Sequence, residues 1–262
     1  MIPHTHTRRF GEGPRQALAI HCSLAHSGAW RGVGEALHDS ATLLAYDLPM
    51  HGRSGGWNGE GNIHDIATEM ARALLSAPMD LIGHSFGATV ALRLAIENPE
   101  LVRSVTMIEP VYFAAVLEDE PARVQKYYEY TARFDKALAA GDPMEAARMF
   151  NRGWGDGTKW DLIPQATRDY MAERIHFVPA STPFLGEDSA GLLKPGMFER
   201  ASMPALLLEG DASPDMSYAI NKSLERRLPD ARRERIAGAG HMAPLTHPRE
   251  VAQAIRGLFE VS

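Results

Sequence analysis

A serine between two glycines, Gly83-His-Ser-Phe-Gly87, is the first place in this chain where residue types and spacing could do chemistry. It follows the apolar run Met79-Asp-Leu-Ile82 and precedes Ala88 to Asn98, whose spacing predicts a helix that Pro99 stops. In a G-x-S-x-G turn between strand and helix, the glycines make room for a sharp bend and the serine hydroxyl stands exposed at its apex. The helix start adds free N–H groups and the positive end of a dipole beside that hydroxyl. A serine is a weak nucleophile until a base takes its proton. Of the 11 histidines, His241 is the best placed, in Gly238-Ala-Gly-His-Met-Ala-Pro244 between the last predicted strand and the last predicted helix. Glycines there let the backbone carry an imidazole over the sheet edge. His247 precedes Pro248 and reads as a cap for the C-terminal helix, while His84 is expected to point away from its neighbour Ser85. His4, His6, His26, His38, His64 and His176 share no metal-ligand spacing and read as solvated or satisfied. Cys22 reads as a small buried hydrophobe rather than a second nucleophile.

The elements that must position Ser85 and His241 follow from the apolar pattern. Ala17 to Ile20, Thr42 to Tyr46, Met79 to Ile82 and Val102 to Ile108 read as buried strands, with helices near Ala29 to His38, Ile63 to Leu74 and Ala88 to Asn98 between them. Strands alternating with helices predict an α/β fold with a mostly parallel sheet covered on both faces. From Val111 to about Met203 the pattern is helical, with helices expected over 121–140, 144–152 and 164–177. Tyr127, Tyr128, Tyr130, Phe134, Trp154, Trp160 and Phe177 concentrate there, as a small core of that segment or as pocket walls. Alternation resumes with strands Ala205 to Glu209 and Ala231 to Ile236 and helices Ser217 to Arg227 and Pro248 to Phe259. Residues 1–110 and 204–262 therefore read as one α/β core, interrupted by a helical cap over 111–203.

Composition narrows the function classes. The chain of 262 residues carries 27 basic and 33 acidic side chains, a net charge of −6 with no basic block, which gives nucleic-acid binding no electrostatic support. No apolar stretch approaches the roughly 20 residues of a membrane span, and the polar N-terminus, Met1 to Gly13, lacks a signal peptide's apolar core. A single cysteine excludes an intramolecular disulfide framework. A cytoplasmic protein acting on a small molecule is the expectation.

Taken together, Asp47-Leu-Pro-Met-His-Gly-Arg-Ser54, Gly83-His-Ser-Phe-Gly87, Ile108-Glu-Pro110, Leu208-Glu-Gly-Asp211 and Gly240-His241 give the whole chain a resemblance to the α/β-hydrolase superfamily, in its form with a helical cap after the sixth strand of the family's numbering. The chain order serine, acid, histidine fits that resemblance. It implies an oxyanion hole built partly from the loop after the third family strand, where many members carry His-Gly and this chain has His21-Cys22-Ser23. Cys22 takes the place of the glycine, so the amide of Ser23, or that of Leu24, is expected as one donor and that of Phe86 as the other. The usual triad aspartate would fall on Ser213, which cannot supply a charge. The resemblance therefore points to Glu109, at the end of the sixth family strand, with Asp211 or Asp215 as alternatives on a shifted loop.

The activity these residues imply is ester hydrolysis through an acyl-enzyme, with Ser85 as nucleophile, His241 as base and Glu109 as orienting acid, and with no metal or organic cofactor. A small, largely apolar ester, lactone or thioester is the expected substrate class. Carbon–carbon bond hydrolysis and acyl transfer use the same triad, and a ligand receptor on an idle hydrolase scaffold is the reading from another class.

Overall fold

Seven strands, β1 (Thr7–Phe10), β2 (Arg15–Ile20), β3 (Ala41–Tyr46), β4 (Met79–His84), β5 (Val102–Ile108), β6 (Ala205–Gly210) and β7 (Ala231–Ile236), form one sheet in the order β1-β3-β2-β4-β5-β6-β7. The computed structural model describes residues 2–262, apart from the side chain of Tyr130. Only β1 runs antiparallel; the other pairs are parallel. This is the mostly parallel, doubly covered sheet expected from the alternation, and it agrees with the α/β-hydrolase type that the resemblance implies.

The period-two geometry of the strands sorts their side chains into two cores. Leu18, Ile20, Leu81, Val105, Met107 and Leu207 point to one face, under the helices Ile63–Arg72, Phe86–Glu97 and Asp215–Arg227. Ala17, Ala19, Ile82, Ile108, Leu206 and Leu208 point to the other, against Val33 and the C-terminal helix Pro248–Phe259. Both faces of β4 are therefore buried, which is why its sequence shows no apolar–polar alternation; its one acid, Asp80, is buried with Arg15, Arg103 and Ser104 as hydrogen-bond donors.

Two elements go beyond the sequence reading. β1, Thr-Arg-Arg-Phe, is a half-buried edge strand, and its charges suit an edge while hiding it from an apolar-run search. The helix Phe113–Asp119 precedes the longer Pro121–Ala139, the proline marking where one stops and the next starts. The helix expected over 164–177 is shorter, Gln165–Arg174, and the chain continues in brief turns around Pro179 and Pro183. Between β5 and β6 the described residues contain no strand. A third cluster, with Phe134, Ala137, Ala146, Ala147, Met171 and Ile175, gives this helical segment a small core of its own.

The sheet order also locates the functional end. β2 lies between β3 and β4, so the chain winds outward from β2 to β3 and then crosses back over β2 to reach β4. In open parallel sheets ligands bind beyond the carboxyl ends of the strands at such a reversal. The loop starting at His21 and the turn carrying Ser85 leave the sheet at that point.

Candidate active site

Ser85 sits between the end of β4 and the first residue of the helix Phe86–Glu97, with φ 54° and ψ −116°. A non-glycine residue in this region is strained and persists only where its surroundings fix it. Its amide donates to the carbonyl of Ile108 at 2.8 Å, tying the turn to β5. The flanking glycines have a steric reason. A Cβ on Gly83 would run into the backbone of Gly87 and Ala88, and one on Gly87 into the carbonyls of Ile20 and His21. Gly87→Ala is therefore expected to cost about 3 kcal/mol of stability or to prevent folding, read as a fall in the thermal midpoint or as loss of soluble protein. An unchanged midpoint would contradict this packing.

His241 lies across the turn, with Nε2 3.0 Å from Ser85 Oγ and Nδ1 3.2 Å from Glu109 Oε2. All three side chains are buried, at 6% exposure for Ser85, 4% for His241 and 0% for Glu109. Glu109 also has a positive φ, 52°, which turns its side chain off the end of β5 while its amide still donates to Leu208 at 2.9 Å. Its other oxygen, Oε1, accepts from the Gly210 amide at 2.8 Å and from Ser213 Oγ at 2.6 Å. Burial alone would raise the Glu109 pKa, but the His241 and Ser213 hydrogen bonds outweigh it and hold the carboxyl below its ordinary range. An ionised Glu109 accepts the Nδ1 proton, so the Nε2 lone pair is left to accept the Ser85 hydroxyl.

The two aspartates go elsewhere. Asp211 Oδ1 accepts from the Gly238 amide at 2.7 Å, closing the base of the loop that carries His241. Asp215 is fully exposed and stands 3.7 Å from Arg123. Among the described residues, Glu109 is the carboxylate bonded to His241. Ser213, at the position where an aspartate was expected, serves that glutamate as a hydrogen-bond donor.

The amides of Ser23 and Phe86 have no acceptor among the described residues; Phe86 follows Ser85 directly, and Ser23 lines the same cavity as Ser85. The amide of the alternative donor, Leu24, is engaged elsewhere, donating to His51 Nε2 at 3.0 Å. His51 in turn donates from Nδ1 to Pro49, and His21 from Nδ1 to Cys22 while accepting the Leu48 amide on Nε2. Burial keeps both imidazoles neutral, lowering their pKa values to about 4 for His21 and about 3 for His51. Asp47 links the same loops by accepting from the amides of Ser27 and Arg53. Cys22 is a buried neutral thiol, pushed up to about 12 by desolvation.

Above Ser85 a cavity of about 640 Å³ opens between sheet and helical segment, walled largely by Val111, Phe113, Tyr127, Phe134, Trp154 and Leu185. The clustered aromatics divide by position: Tyr127, Tyr128, Phe134 and Trp154 line the cavity, Trp160 packs on the segment's own core, and Phe177 joins the main core. The side chain of Tyr130 lies outside the described residues.

The family model described as the alpha/beta hydrolase family matches residues 17–254. The chain belongs to that family. It is 28% identical to a protein named lipase LipV from Mycobacterium tuberculosis, over 98% of both chains. It is also 28% identical to a pimeloyl-[acyl-carrier protein] methyl ester esterase from Aeromonas hydrophila, over 94% of this chain and 96% of that one. The crystal structure of an enol-lactonase from Burkholderia xenovorans superimposes with a TM-score of 0.74 at 17% identity, covering 98% of this chain and 97% of the other, a likeness of fold.

Within this hydrolase, several residues bear on the site without a sequence signal of their own. His84, the neighbour of Ser85, donates from Nε2 to the backbone carbonyl of His241 at 2.8 Å. Burial and the neighbouring imidazole hold it neutral, its pKa lowered to about 3. Trp154 meets the His241 ring edge-on, with centroids 4.7 Å apart. His247 occupies the N-cap position of Pro248–Phe259, yet its ring makes no capping bond and Nδ1 contacts Thr246 instead. His64 is buried, stacked on Phe184 and bonded to Thr89. Among the described residues no helix is long and apolar enough to cross a membrane.

Proposed function

We propose that this protein hydrolyses an ester-type bond through an acyl-enzyme. The observation that carries the reading is the unbroken chain from Glu109 through His241 to Ser85 at the floor of a largely apolar cavity. In the first half, Ser85 Oγ attacks the carbonyl carbon as its proton passes to His241 Nε2, and the tetrahedral oxyanion accepts from the Ser23 and Phe86 amides. Collapse expels the alcohol, which takes the proton from His241. Water then attacks the acyl-serine, giving up a proton to His241, and collapse releases the carboxylic acid and restores the Ser85 hydroxyl. Glu109 orients the imidazole and stabilises its cationic form in both halves.

The relatives named lipase and methyl ester esterase support this bond class. The cavity walls support a small, largely apolar substrate, whether ester, lactone or thioester. The test is labelling of Ser85 by a fluorophosphonate together with turnover of p-nitrophenyl esters of increasing chain length, lactones and thioesters. Absence of both labelling and turnover would favour an idle scaffold that only binds.

Residues 111–203 act in this reading as the cap that chooses the substrate. Trimming Tyr128, Phe134 or Trp154 to alanine is expected to shift the chain-length optimum among esters for at least one of the three. Deleting one to several buried methylene-sized contacts changes discrimination by roughly 10–200-fold per methylene. An optimum and kcat/KM unchanged in all three variants would move the pocket elsewhere.

A further inference from the structure

Among the described residues, the cap's small core contains one from outside the helical segment, Leu24, clustered with Phe134, Ala137, Ala146, Ala147 and Met171. Leu24 follows Ser23 directly, so the loop that offers the Ser23 amide is anchored in the cap by its next side chain. A second fastening comes from the helix Gln165–Arg174. Tyr170 donates its hydroxyl to the carbonyl of Ala25 at 2.8 Å and accepts the Gly52 amide at 2.8 Å. Arg174 donates to the carbonyl of Met50 at 2.9 Å and lies 3.7 Å from the Tyr170 ring centroid, holding that ring in place. From the core side, His51 takes the Leu24 amide.

These contacts act on a strained backbone. Leu24 has φ 63°, a left-handed conformation that a leucine adopts only where its surroundings over-determine it. Its amide is turned toward His51, its side chain packs into the cap, and the next carbonyl accepts from Tyr170, while the Ala25 amide closes a turn onto the carbonyl of Cys22 that leaves the Ser23 amide without an acceptor among the described residues. Within the loop the Ala25 amide donates to the carbonyl of Cys22 at a long 3.3 Å, and the contacts of Leu24 and Tyr170 hold the same turn from the cap side. Losing the cap contacts would loosen this turn and let the Ser23 amide shift with it.

We infer that Leu24 and Tyr170 are positioning residues through which the docked cap holds the Ser23 amide in the oxyanion hole. This rests on the proposed serine hydrolase reading and adds to it a coupling between cap and chemistry. The hole is complete only while the helix Gln165–Arg174 is seated, so the cap contributes to the transition state as well as to substrate choice.

The test compares Tyr170→Phe, Leu24→Ala and Leu24→Met on an ester that the parent cleaves, together with the inhibition constant of an arylboronic acid, whose Ser85 adduct is tetrahedral. Losing one oxyanion donor outright costs on the order of 10²–10³ in kcat. A displaced donor is therefore expected to cost at least tenfold in Tyr170→Phe and Leu24→Ala, with KM within about threefold and the boronate constant rising in parallel. Leu24→Met keeps the buried anchor and should retain most of the rate. A merely structural fastener would lower the thermal midpoint while leaving kcat and the boronate constant alone, and that result in Tyr170→Phe would overturn the inference. If that variant fails to fold, the same readings on Leu24→Ala decide. Failure of the underlying reading looks different, because the parent itself would then resist fluorophosphonate labelling or Ser85→Ala would keep its activity.

Discussion

Replacing Ser85 with alanine is expected to remove ester turnover almost entirely, a fall on the order of 10⁶ in kcat, while the protein stays folded. The magnitude follows from the loss of the attacking atom: in triad enzymes, removing the nucleophile alone costs about as much as removing the whole triad. Folding should survive because alanine is smaller than serine and the turn is fixed by its neighbours. The Ser85 amide donates to Ile108, and the close approaches at Gly83 and Gly87 are backbone contacts that the substitution leaves intact. The Ser85 side chain faces the cavity and packs no core. The measurement is kcat on the best ester of the series, with the thermal midpoint as control. A variant that kept the parent's kcat would end the nucleophile assignment. Ser85→Cys is less informative, because a thiolate is a capable nucleophile in its own right.

How much of this arrangement is legible in the sequence depends on how local each feature is. Ser85 is legible because strand, turn and helix adjoin in the chain, and two glycines mark the steric need. His241 is legible for a related reason, since the glycine-rich loop between β7 and the last helix is short and its chemistry obvious. The mostly parallel sheet follows from apolar runs whose central strands are buried on both faces. Glu109 is legible only by subtraction, from a serine standing where an aspartate was expected, and its reach to His241 across 132 positions is a fact of three dimensions. The bond from His84 to the carbonyl of His241, the ring of Trp154 on the imidazole and the hold of Tyr170 on Ala25 join segments that carry no mutual signal. A tyrosine on a polar helix face reads as solvated until its partners are known. β1 escapes for the opposite reason, since an edge strand gains by looking unlike a core strand.

Glu109→Gln is expected to cost at least a hundredfold in kcat, and about 10⁴ if the loss matches that of the corresponding aspartate in a serine-protease triad. Two physical effects combine. The first is charge: hydrogen bonds from His241 and Ser213 hold the Glu109 carboxyl below its ordinary range despite its burial. Amidation removes that charge from beside the imidazolium formed in the transition state. The second is the direction of the hydrogen bonds. Gly210 N–H and Ser213 Oγ–H both donate to Oε1, so a glutamine there turns its carbonyl oxygen toward these two donors and its NH₂ toward His241 Nδ1. Nδ1 must then accept, which puts the imidazole proton on Nε2, facing Ser85, where a base needs a lone pair. The side chain keeps its shape and its place, so the thermal midpoint should move far less than the rate. Asp215→Asn should stay within about twofold, because that carboxylate is exposed and only 3.7 Å from one arginine. Asp211→Asn should cost more than this but far less than Glu109→Gln, since it loosens one bond at the base of the His241 loop. The imidazole N–H resonance gives an independent reading of the tautomer in the glutamine variant. If Glu109→Gln kept its rate and Asp211→Asn lost it, the base would be oriented from the shifted loop, and Glu109 would be a buried acid bonded to its neighbours for stability alone.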